Sequence, residues 1–356
     1  MTYLAAEAVQ FDTGAGGESG AAGSPEIGRF RPGTGGATVV RLRPQPATFE
    51  EFEAPFSDDF LAVHGGSIGD SGVRLRRTGP ADAPAILVLG GISAGRGAAS
   101  APGDPGWWPA IVGPAAPIDT TRFAVWTADY FPTAPKGLVD LSPGDFARQY
   151  VKALRRFGVE RLHAAVGASF GGMVALAMAS AYPSFVARLS VLCAADRPSP
   201  MGRALRRAQR RILELGLASG RGDEATAIAR ELAIATYRTS AEFNVRFEDP
   251  YVLDSYLDHH GRKYGAAVDP RRYHSLSAAI DRHLVDAATI CAPTQLVAVE
   301  EDQLVAIGDV RRFAEALGGP ARLDVISSVY GHDGFLKETD RIGPLLGDWL
   351  GKDAHQ

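Results

Sequence analysis

One serine lies in a short glycine-flanked segment that is restricted to a tight turn between a strand and a helix. Residues 167–171 read GASFG, with the apolar run 162–166 before them and the helix-forming run 172–178 after them. The glycines are needed because a Cβ beside Ser169 would clash in so sharp a turn, and the start of the helix places a positive dipole near the serine hydroxyl. The pattern predicts a nucleophilic Ser169. The alternative, a serine that only caps a helix, does not require both glycines and both flanks.

The apolar runs on either side of this turn alternate with helical segments. Runs this continuous are typical of strands buried on both faces, and helices between them indicate parallel βαβ units. One predicted helix, over 142–157, begins at a serine cap and repeats aromatic residues and leucine at helical spacing. We therefore predict an α/β-hydrolase fold with a mostly parallel, doubly wound sheet. Its strands are predicted over 85–89, 123–127, 162–166, 189–192, 294–299 and 323–327.

The sequence before this domain changes in composition. Residues 1–48 are predicted to be a flexible tail, because the stretch 13–38 is dominated by Gly, Ala, Ser and Pro and cannot bury enough apolar surface to order itself. Three short strands follow, which we expect to form an antiparallel edge of the sheet. They are predicted over 49–56, 60–67 and 73–77.

A helical block interrupts the strand pattern late in the chain. Strand signals are absent between 196 and 288 and resume at Thr294. We therefore divide the folded part into a core, over 49–195 and 289–352, and a helical insertion, over 196–288, that lies as a lid over the carboxyl edge of the sheet. Helices within the insertion are predicted over 202–217, 222–237 and 251–264.

The charge balance excludes some classes of partner. The chain has 41 acidic and 37 basic residues and a net charge of -4. Its overall charge therefore does not favour binding to nucleic acid or to an anionic membrane. One basic run has two interpretations: a solvated helix face, which charge runs usually are, or a patch that attracts an anionic substrate such as a coenzyme A phosphate. The run consists of Arg203, Arg206, Arg207, Arg210 and Arg211.

The two cysteines and the N-terminus indicate a reducing compartment. Cys193 and Cys291 both lie in apolar stretches, so we expect core residues rather than a disulfide or a metal pair. The first residues lack a basic segment followed by an apolar one, and no window of 18 apolar residues occurs. We expect a cytoplasmic protein without a metal or a membrane span.

A serine hydroxyl needs a base, and in this fold the chain order is serine, acid, histidine. His332 lies in a glycine-flanked loop just after the last predicted strand, where the fold delivers that base. Three carboxylates, at 300–302, follow the preceding strand and compete to orient its imidazole. We favour Asp302, with Glu301 as the fallback. For an oxyanion hole, the backbone N–H groups of Phe170 and Ile92 are the candidates.

Further segments resemble the homoserine O-acyltransferase family, whose members move an acyl group from coenzyme A to the hydroxyl of homoserine in methionine biosynthesis. The resemblance implies Ser169, Asp302 and His332 as the triad, a substrate-binding Arg230 and a binding role for Asp333. It also implies an acyl-CoA substrate without a separate cofactor, and a homodimer built through the helical insertion. The matching segments are 106–108, 113–114, 118–120, 169–173, 229–233, 236–238, 242–243, 246–247, 255–258, 261–263 and 328–336.

Two segments depart from the family pattern, and both are expected to line the acyl pocket. The loop 89–96 reads LGGISAGR, and a short TADYFP segment at 127–132 replaces a longer one. The GGISA form with an arginine close by resembles the succinyl-using branch of the family. Arg96 could bind the second carboxylate of a succinyl group; its alternative is a solvent-exposed loop arginine.

Several functions fit this sequence. The favoured one is transfer of a succinyl or acetyl group to L-homoserine by a ping-pong mechanism through an acyl-Ser169 intermediate, with succinyl favoured. Serine as the acceptor, or an esterase that uses water, remains open because the fold alone does not fix the function. A non-catalytic binding module is disfavoured by the intact serine turn and the late histidine.

Overall fold

An eight-stranded sheet organises the computed structural model, which describes residues 48–351; the tail predicted over 1–48 lies outside them except for its last residue. The strands are β1 (Phe49–Pro55), β2 (Gly72–Thr78), β3 (Ala85–Leu89), β4 (Val112–Gly113), β5 (Ile118–Asp119), β6 (Ala124–Ala128), β7 (Ala164–Ala168), β8 (Leu189–Leu192), β9 (Thr294–Val299) and β10 (Ala321–Ile326). The helices are α1 (Asp58–Ile68), α2 (Pro143–Arg156), α3 (Phe170–Ala181), α4 (Pro200–Ala218), α5 (Gly222–Tyr237), α6 (Ser240–Arg246), α7 (Pro250–Gly265), α8 (Pro270–Asp281), α9 (Ile307–Ala316), α10 (Gly334–Lys337) and α11 (Thr339–Gly351).

The large sheet has the strand order β1-β2-β6-β3-β7-β8-β9-β10. The first two strands join antiparallel, and β6 through β10 pair in parallel. β4 and β5 form a separate two-stranded pair. This is the α/β-hydrolase architecture predicted from the alternating pattern. The carboxyl ends of the parallel strands therefore meet along one edge, where this fold places its functional side chains.

Side chains of the central strands alternate between two apolar cores. On β3, Leu87 and Leu89 belong to the larger core, whereas Ile86 and Val88 belong to the core on the opposite face. A strand buried on both faces needs helices on both faces, which is why its sequence reads as one continuous apolar run. The α2 helix begins as predicted at Ser142, whose hydroxyl and backbone N–H both bond the Asp145 carboxylate.

The strand predicted over 60–67 is wrong, because this segment belongs to α1. Its two buried residues, Phe60 and Ile68, lie eight positions apart, but Ala62 and Gly66, which an alternating strand would bury with them, are exposed. Acidic Asp58 and Asp59 open the helix, and Gly69 closes it in the left-handed conformation with φ of 76°. We took the Gly65-Gly66 pair for a turn, although both glycines lie within the helix.

Five helices, α4 to α8, lie between β8 and β9 in the chain. The α5 helix packs against both α4 and α7, and α8 packs against α4 and α5. Along residues 48–351, no helix combines the length and apolar character that a membrane crossing requires.

The environments of the two cysteines differ. Cys193 is buried as predicted, but Cys291 is exposed, so its expected place in the core is wrong. Its neighbours Ile290 and Ala292 are buried, and the extended backbone between them turns the intervening side chain outward.

Candidate active site

Ser169 stands at a sharp turn between β7 and α3, with φ of 51° and ψ of -118°. Its two flanking glycines are sterically required. A Cβ on Gly167 would lie 2.3 Å from the Gly171 carbonyl oxygen, and a Cβ on Gly171 would lie 2.3 Å from the Leu89 carbonyl oxygen. Both oxygens belong to the backbone, so neither can shift without displacing the main chain. The turn therefore holds the serine in a conformation that L residues rarely adopt and points it out of the sheet edge.

The structure brings together the three residues that the sequence nominated. Nε2 of His332 lies 2.8 Å from Ser169 Oγ, and Nδ1 of His332 lies 2.7 Å from Asp302 Oδ2. Ser169 and His332 are 163 positions apart in the chain, so only the fold creates this contact. The geometry is that of a nucleophile, a base and an acid that orients the base.

The second oxygen of Asp302 fixes its carboxylate. Oδ1 accepts hydrogen bonds from the backbone N–H groups of Leu304 and Val305, at 2.8 and 3.0 Å. The fallback acid, Glu301, instead accepts hydrogen bonds from Ser327 Oγ and Ser328 N. Of the two, Asp302 is therefore the carboxylate that contacts the imidazole.

The environment of His332 raises its pKa. Burial alone lowers the pKa, but the charge and hydrogen bond of Asp302, helped by the charge of Asp333, outweigh that effect. The imidazole is therefore a stronger base than an ordinary histidine, which favours removal of the serine proton. Because a base must be neutral to accept a proton, activity should be lost as pH falls through this raised pKa.

The proposed oxyanion-hole groups flank the serine. As the first residue of α3, Phe170 has a backbone N–H without an acceptor in a preceding helical turn. A Cβ built on Gly91 would lie 4.0 Å from Ser169 Cβ, so the loop that carries Ile92 passes beside the nucleophile. Tyr130 Oη donates to the Gly90 carbonyl at 2.6 Å and anchors this loop. The assignment of Ile92 and Phe170 as donors stays a prediction.

Ser169 opens into a cavity of about 680 Å³ between the sheet edge and the helices α5, α6 and α7. This volume is within the usual range for a small-molecule site. Five cationic residues and two acidic ones line it, so the cavity favours anionic ligands. The cationic residues are Arg230, Arg238, Arg246, Lys263 and Lys337, and the acidic ones are Glu242 and Asp333.

Arg230 reaches this cavity from α5, between two aromatic rings. Its guanidinium carbon lies 4.8 Å from the ring centroid of Tyr264 and 5.7 Å from that of Tyr237. Among the described residues no carboxylate forms a salt bridge with it. Rings hold the side chain by cation–π attraction while its charge stays available to a ligand. Arg230 therefore lines the cavity. It is not the surface residue that the sequence would suggest without the family resemblance.

Asp333 lines the same cavity but already has a cationic partner. Arg238 Nε donates to Asp333 Oδ2 at 2.8 Å, and its Nη1 lies 3.3 Å from Glu242 Oε1. Arg246 bonds the same Glu242 oxygen at 3.2 Å. Asp333 thus lies at one end of a short chain of charges, which fixes its carboxylate beside His332.

Comparisons with known proteins agree with this geometry. The α/β-hydrolase-fold family matches residues 84–339. A homoserine O-succinyltransferase of Xanthomonas campestris is 35% identical over 285 residues, which cover 77% of this chain and 77% of the relative. A homoserine O-acetyltransferase of Thermus thermophilus is 32% identical over 279 residues, covering 70% of this chain and 73% of the relative.

The chain belongs to the homoserine O-acyltransferase family. A solved homoserine O-acetyltransferase from Bacillus anthracis superimposes with a TM-score of 0.75 at 17% identity, covering 88% of this chain and all of that one, which supports the fold.

For this acyltransferase-family member, Arg96 is not where the sequence analysis placed it. Its guanidinium pairs with Asp129 and with Glu51 on β1, the latter at 3.0 Å, and it does not line this cavity. The cause is the short segment after β6, which turns Asp129 toward Arg96. That segment was also expected to line the acyl pocket, but Tyr130 Oη bonds the Gly90 carbonyl and the Asp129 carboxylate accepts from the Arg96 backbone N–H, so both residues support the loop that carries Ile92.

Sequence reasoning missed Tyr237, Arg238 and Glu242. Tyr237 lies seven residues after Arg230, which is the same face of α5, and its ring centroid is 5.9 Å from that of His332. The spacing of seven residues from Arg230 could have identified Tyr237 as a residue of the site. Arg238 and Glu242 follow in the next turns, but the loop between α5 and α6 that aims them at the site has no comparable signal.

One cluster near the triad has the composition of a metal site. Ligand atoms of Cys193, Asp302 and His332 lie within 4.8 Å of one another. Both imidazole nitrogens are hydrogen-bonded to Asp302 and Ser169, and burial raises the pKa of the Cys193 thiol. A neutral thiol and an occupied imidazole are poor ligands, so these residues suit a triad better than a metal ion.

Proposed function

We propose that this protein transfers an acyl group from an acyl-CoA to the hydroxyl of L-homoserine. The observation that carries the proposal is the cavity that joins Ser169 to Arg230, a half-buried cation without a carboxylate partner among the described residues. An esterase that uses water needs no such cation. An amino-acid acceptor does, because its carboxylate requires a charged partner once water is excluded.

The first half-reaction acylates the enzyme. Ser169 Oγ bonds to the thioester carbonyl carbon while His332 accepts the hydroxyl proton. The carbon–sulfur bond then breaks, and the sulfur leaves as coenzyme A thiol with that proton. Backbone N–H groups of Ile92 and Phe170 stabilise the oxyanion formed in between.

The second half-reaction transfers the group to the acceptor. Arg230 binds the homoserine carboxylate and Asp333 binds its ammonium, which brings the hydroxyl to the acyl carbon. His332 takes the hydroxyl proton, the new ester bond forms, and the proton returns to Ser169 Oγ as the acyl–enzyme bond breaks. Asp302 stabilises the imidazolium in both halves.

No separate cofactor enters these steps, since acyl-CoA is itself a substrate. We further propose a cytoplasmic homodimer that associates through the helices between β8 and β9. Support comes from apolar side chains exposed on α4 and α7, including Met201 at 65% and Tyr251 at 82% exposure. Light scattering of the wild type and of Tyr251→Glu tests the dimer: both proteins as monomers, or both as dimers, would argue against this surface.

The test of function measures thiol release from succinyl-CoA and acetyl-CoA with L-homoserine, L-serine or no amino acid. We expect release to depend on homoserine, and intact mass to show one acyl group on the wild type but none on Ser169→Ala. Arg230→Met should raise the KM for homoserine by about 10- to 100-fold, as expected for a lost charged hydrogen bond. Arg221→Met is the matched control, because Arg221 is an exposed arginine directly before the same helix. Release that proceeds equally without an amino acid would identify a hydrolase.

A further inference from the structure

Lys337 lines the cavity that Ser169 opens into, but it takes no part in the steps proposed above. It is the last residue of α10, the short helix that follows the loop of His332. Its side chain is half-buried and, within residues 48–351, forms neither a hydrogen bond nor a salt bridge. A lysine in such a place is a cation while it holds its proton and a nucleophile once it loses it.

The surroundings of Lys337 disfavour its protonated form. Burial, the largest cause, lowers its pKa, and the positive charges of Arg238 and Arg246 lower it further. Asp333 and Glu242 act in the opposite direction but do not cancel these effects. Both carboxylates are already bonded to Arg238. At a given pH, a larger fraction of Lys337 is therefore the neutral amine than of an exposed lysine.

The cavity also brings this amine to a reactive acyl group. A thioester is an activated acyl group, and a neutral amine converts it to an amide without further catalysis. When both groups are held in one cavity, an encounter in solution becomes a reaction between neighbours. Partial desolvation beside other cations is one of the ways in which proteins activate a lysine for such attack.

We propose that Lys337 is a self-acylation site, at which acyl-CoA bound in the large cavity slowly modifies the enzyme. This inference rests on the proposed use of acyl-CoA as the donor. The lone pair of neutral Nζ bonds to the thioester carbonyl carbon, the carbon–sulfur bond breaks, and the proton lost by Nζ leaves with the sulfur as coenzyme A thiol. The product is an amide on Lys337, which persists where the ester on Ser169 turns over.

Acylation of Lys337 should inhibit the enzyme. It removes one of the five cationic groups of the cavity, and a succinyl group also adds a carboxylate. The cavity then attracts the anionic donor less strongly. Because the acceptor drives consumption of the thioester, the modification accumulates when the donor is abundant and the acceptor is scarce.

The other lysines that the structure describes are less suited to this reaction. Lys136 and Lys152 are exposed and do not line the cavity, and Lys152 forms a salt bridge with Asp59. Lys263 of α7 lines the cavity, but it is engaged with another group of the chain. Lys337 combines a place in the cavity with the absence of a hydrogen bond or salt bridge among the described residues.

Peptide mapping by mass spectrometry tests the site. The wild type is incubated with succinyl-CoA or acetyl-CoA without an amino acid, then treated with hydroxylamine, which cleaves the ester on Ser169 but leaves an amide. Lys337 should retain an acyl group and acquire it at least about tenfold faster than Lys152, as expected for a group held beside its target. Equal rates at Lys337, Lys136 and Lys152 would overturn the proposal.

Ser169→Ala tests the direct attack on the thioester. This variant binds acyl-CoA without consuming it, so Lys337 should be acylated at least as fast as in the wild type. Loss of the label in Ser169→Ala would mean that the group comes from acyl-Ser169 and would refute the proposed step. In the wild type, an acylated Ser169 beside an unmodified Lys337 counts against this inference alone. A label on Lys337 without any on Ser169 would instead contradict the proposed acyltransferase function.

Preincubation with succinyl-CoA tests the inhibition. After removal of the donor, each protein is compared with its own untreated rate of thiol release at low succinyl-CoA. The activity of the wild type and of the control Lys152→Arg should fall in step with the fraction of Lys337 that is acylated. Lys337→Arg should keep its own rate, because a guanidinium does not lose its proton in proteins. An equal loss of activity in Lys337→Arg would show that the inhibition arises elsewhere.

Discussion

Arg238 donates a hydrogen bond to Asp333, the residue directly after the histidine that contacts Ser169. The arginine is 8% exposed, so this pair lies largely out of water. It fixes the carboxylate that we assign to the ammonium group of the acceptor. Arg238 is thus a positioning residue: it acts on the substrate through Asp333.

Arg238→Met should therefore weaken binding of the acceptor more than it slows acylation. We expect the KM for homoserine to rise by about tenfold, as for one lost charged hydrogen bond, while the burst of thiol release from acyl-CoA alone keeps its rate. Steady-state and stopped-flow assays measure the two quantities. A slowed burst with an unchanged KM would show that Arg238 supports the triad instead.

The dependence of activity on pH should follow from the contact between Asp302 and His332. Because the pKa of His332 is raised, kcat/KM should fall on the acid side above the pH at which an ordinary histidine titrates. Asp302→Asn removes the main cause of that rise and leaves burial, which lowers the pKa. The acid limb should then move to lower pH while kcat falls by about 10⁴-fold.

Glu301→Gln is the control for this experiment, because Glu301 bonds Ser327 and Ser328 rather than the imidazole. In Glu301→Gln, the acid limb of the pH profile should lie at the same pH as in the wild type. A limb that moves equally in both variants would mean that general electrostatics, rather than the Asp302 contact, sets the pKa of His332.

Gly171→Ala should prevent normal folding of the serine turn. The new Cβ would lie 2.3 Å from the Leu89 carbonyl oxygen and 2.6 Å from that of Gly90, so β3 and α3 must move apart. We expect the free energy of unfolding to fall by more than about 3 kcal/mol, as for severe overpacking, and activity to be lost. Denaturant titration monitored by tryptophan fluorescence measures the change.

Gly347→Ala is the matched control within a helix, since a Cβ there meets no atom within 4 Å. It should raise the free energy of unfolding by about 0.5 to 1 kcal/mol. A similar, small effect of both substitutions would contradict the steric argument at Gly171.

Arg96→Leu should affect stability rather than the choice of donor. The side chain links Glu51 of β1 to Asp129 after β6, and Asp129 is only 13% exposed. Its loss should lower the free energy of unfolding by about 1 to 3 kcal/mol and change kcat/KM for succinyl-CoA and acetyl-CoA by the same factor. A selective loss with succinyl-CoA would return Arg96 to the acyl pocket.

Local patterns in the sequence predicted the sheet and the residues that meet at Ser169. The strands buried on both faces read as apolar runs. The chain order of serine, acid and histidine indicated His332 and the carboxylates at 300–302, of which Asp302 was favoured over Glu301. These features are encoded within a few residues each, which is why they could be read directly.

The direction in which individual arginine side chains point could not be read in this way. Arg206 lies in a basic run that also contains Arg203 and Arg207, which are exposed. Only the packing of α4 on α8 turns Arg206 toward Asp281, 75 positions later in the chain. Arg96 failed for the same reason, because its partners on β1 and after β6 are distant in sequence. Long-range partners, rather than local spacing, decide the direction of a long flexible side chain.

The position of α4 to α8 between β8 and β9 has a consequence for biosynthesis. The ribosome completes the serine turn well before it makes Asp302 and His332, and the whole helical block must emerge in between. Contacts this distant in sequence form late in folding. A growing chain therefore carries Ser169 without its acid and base until the segments that hold Asp302 and His332 have been made.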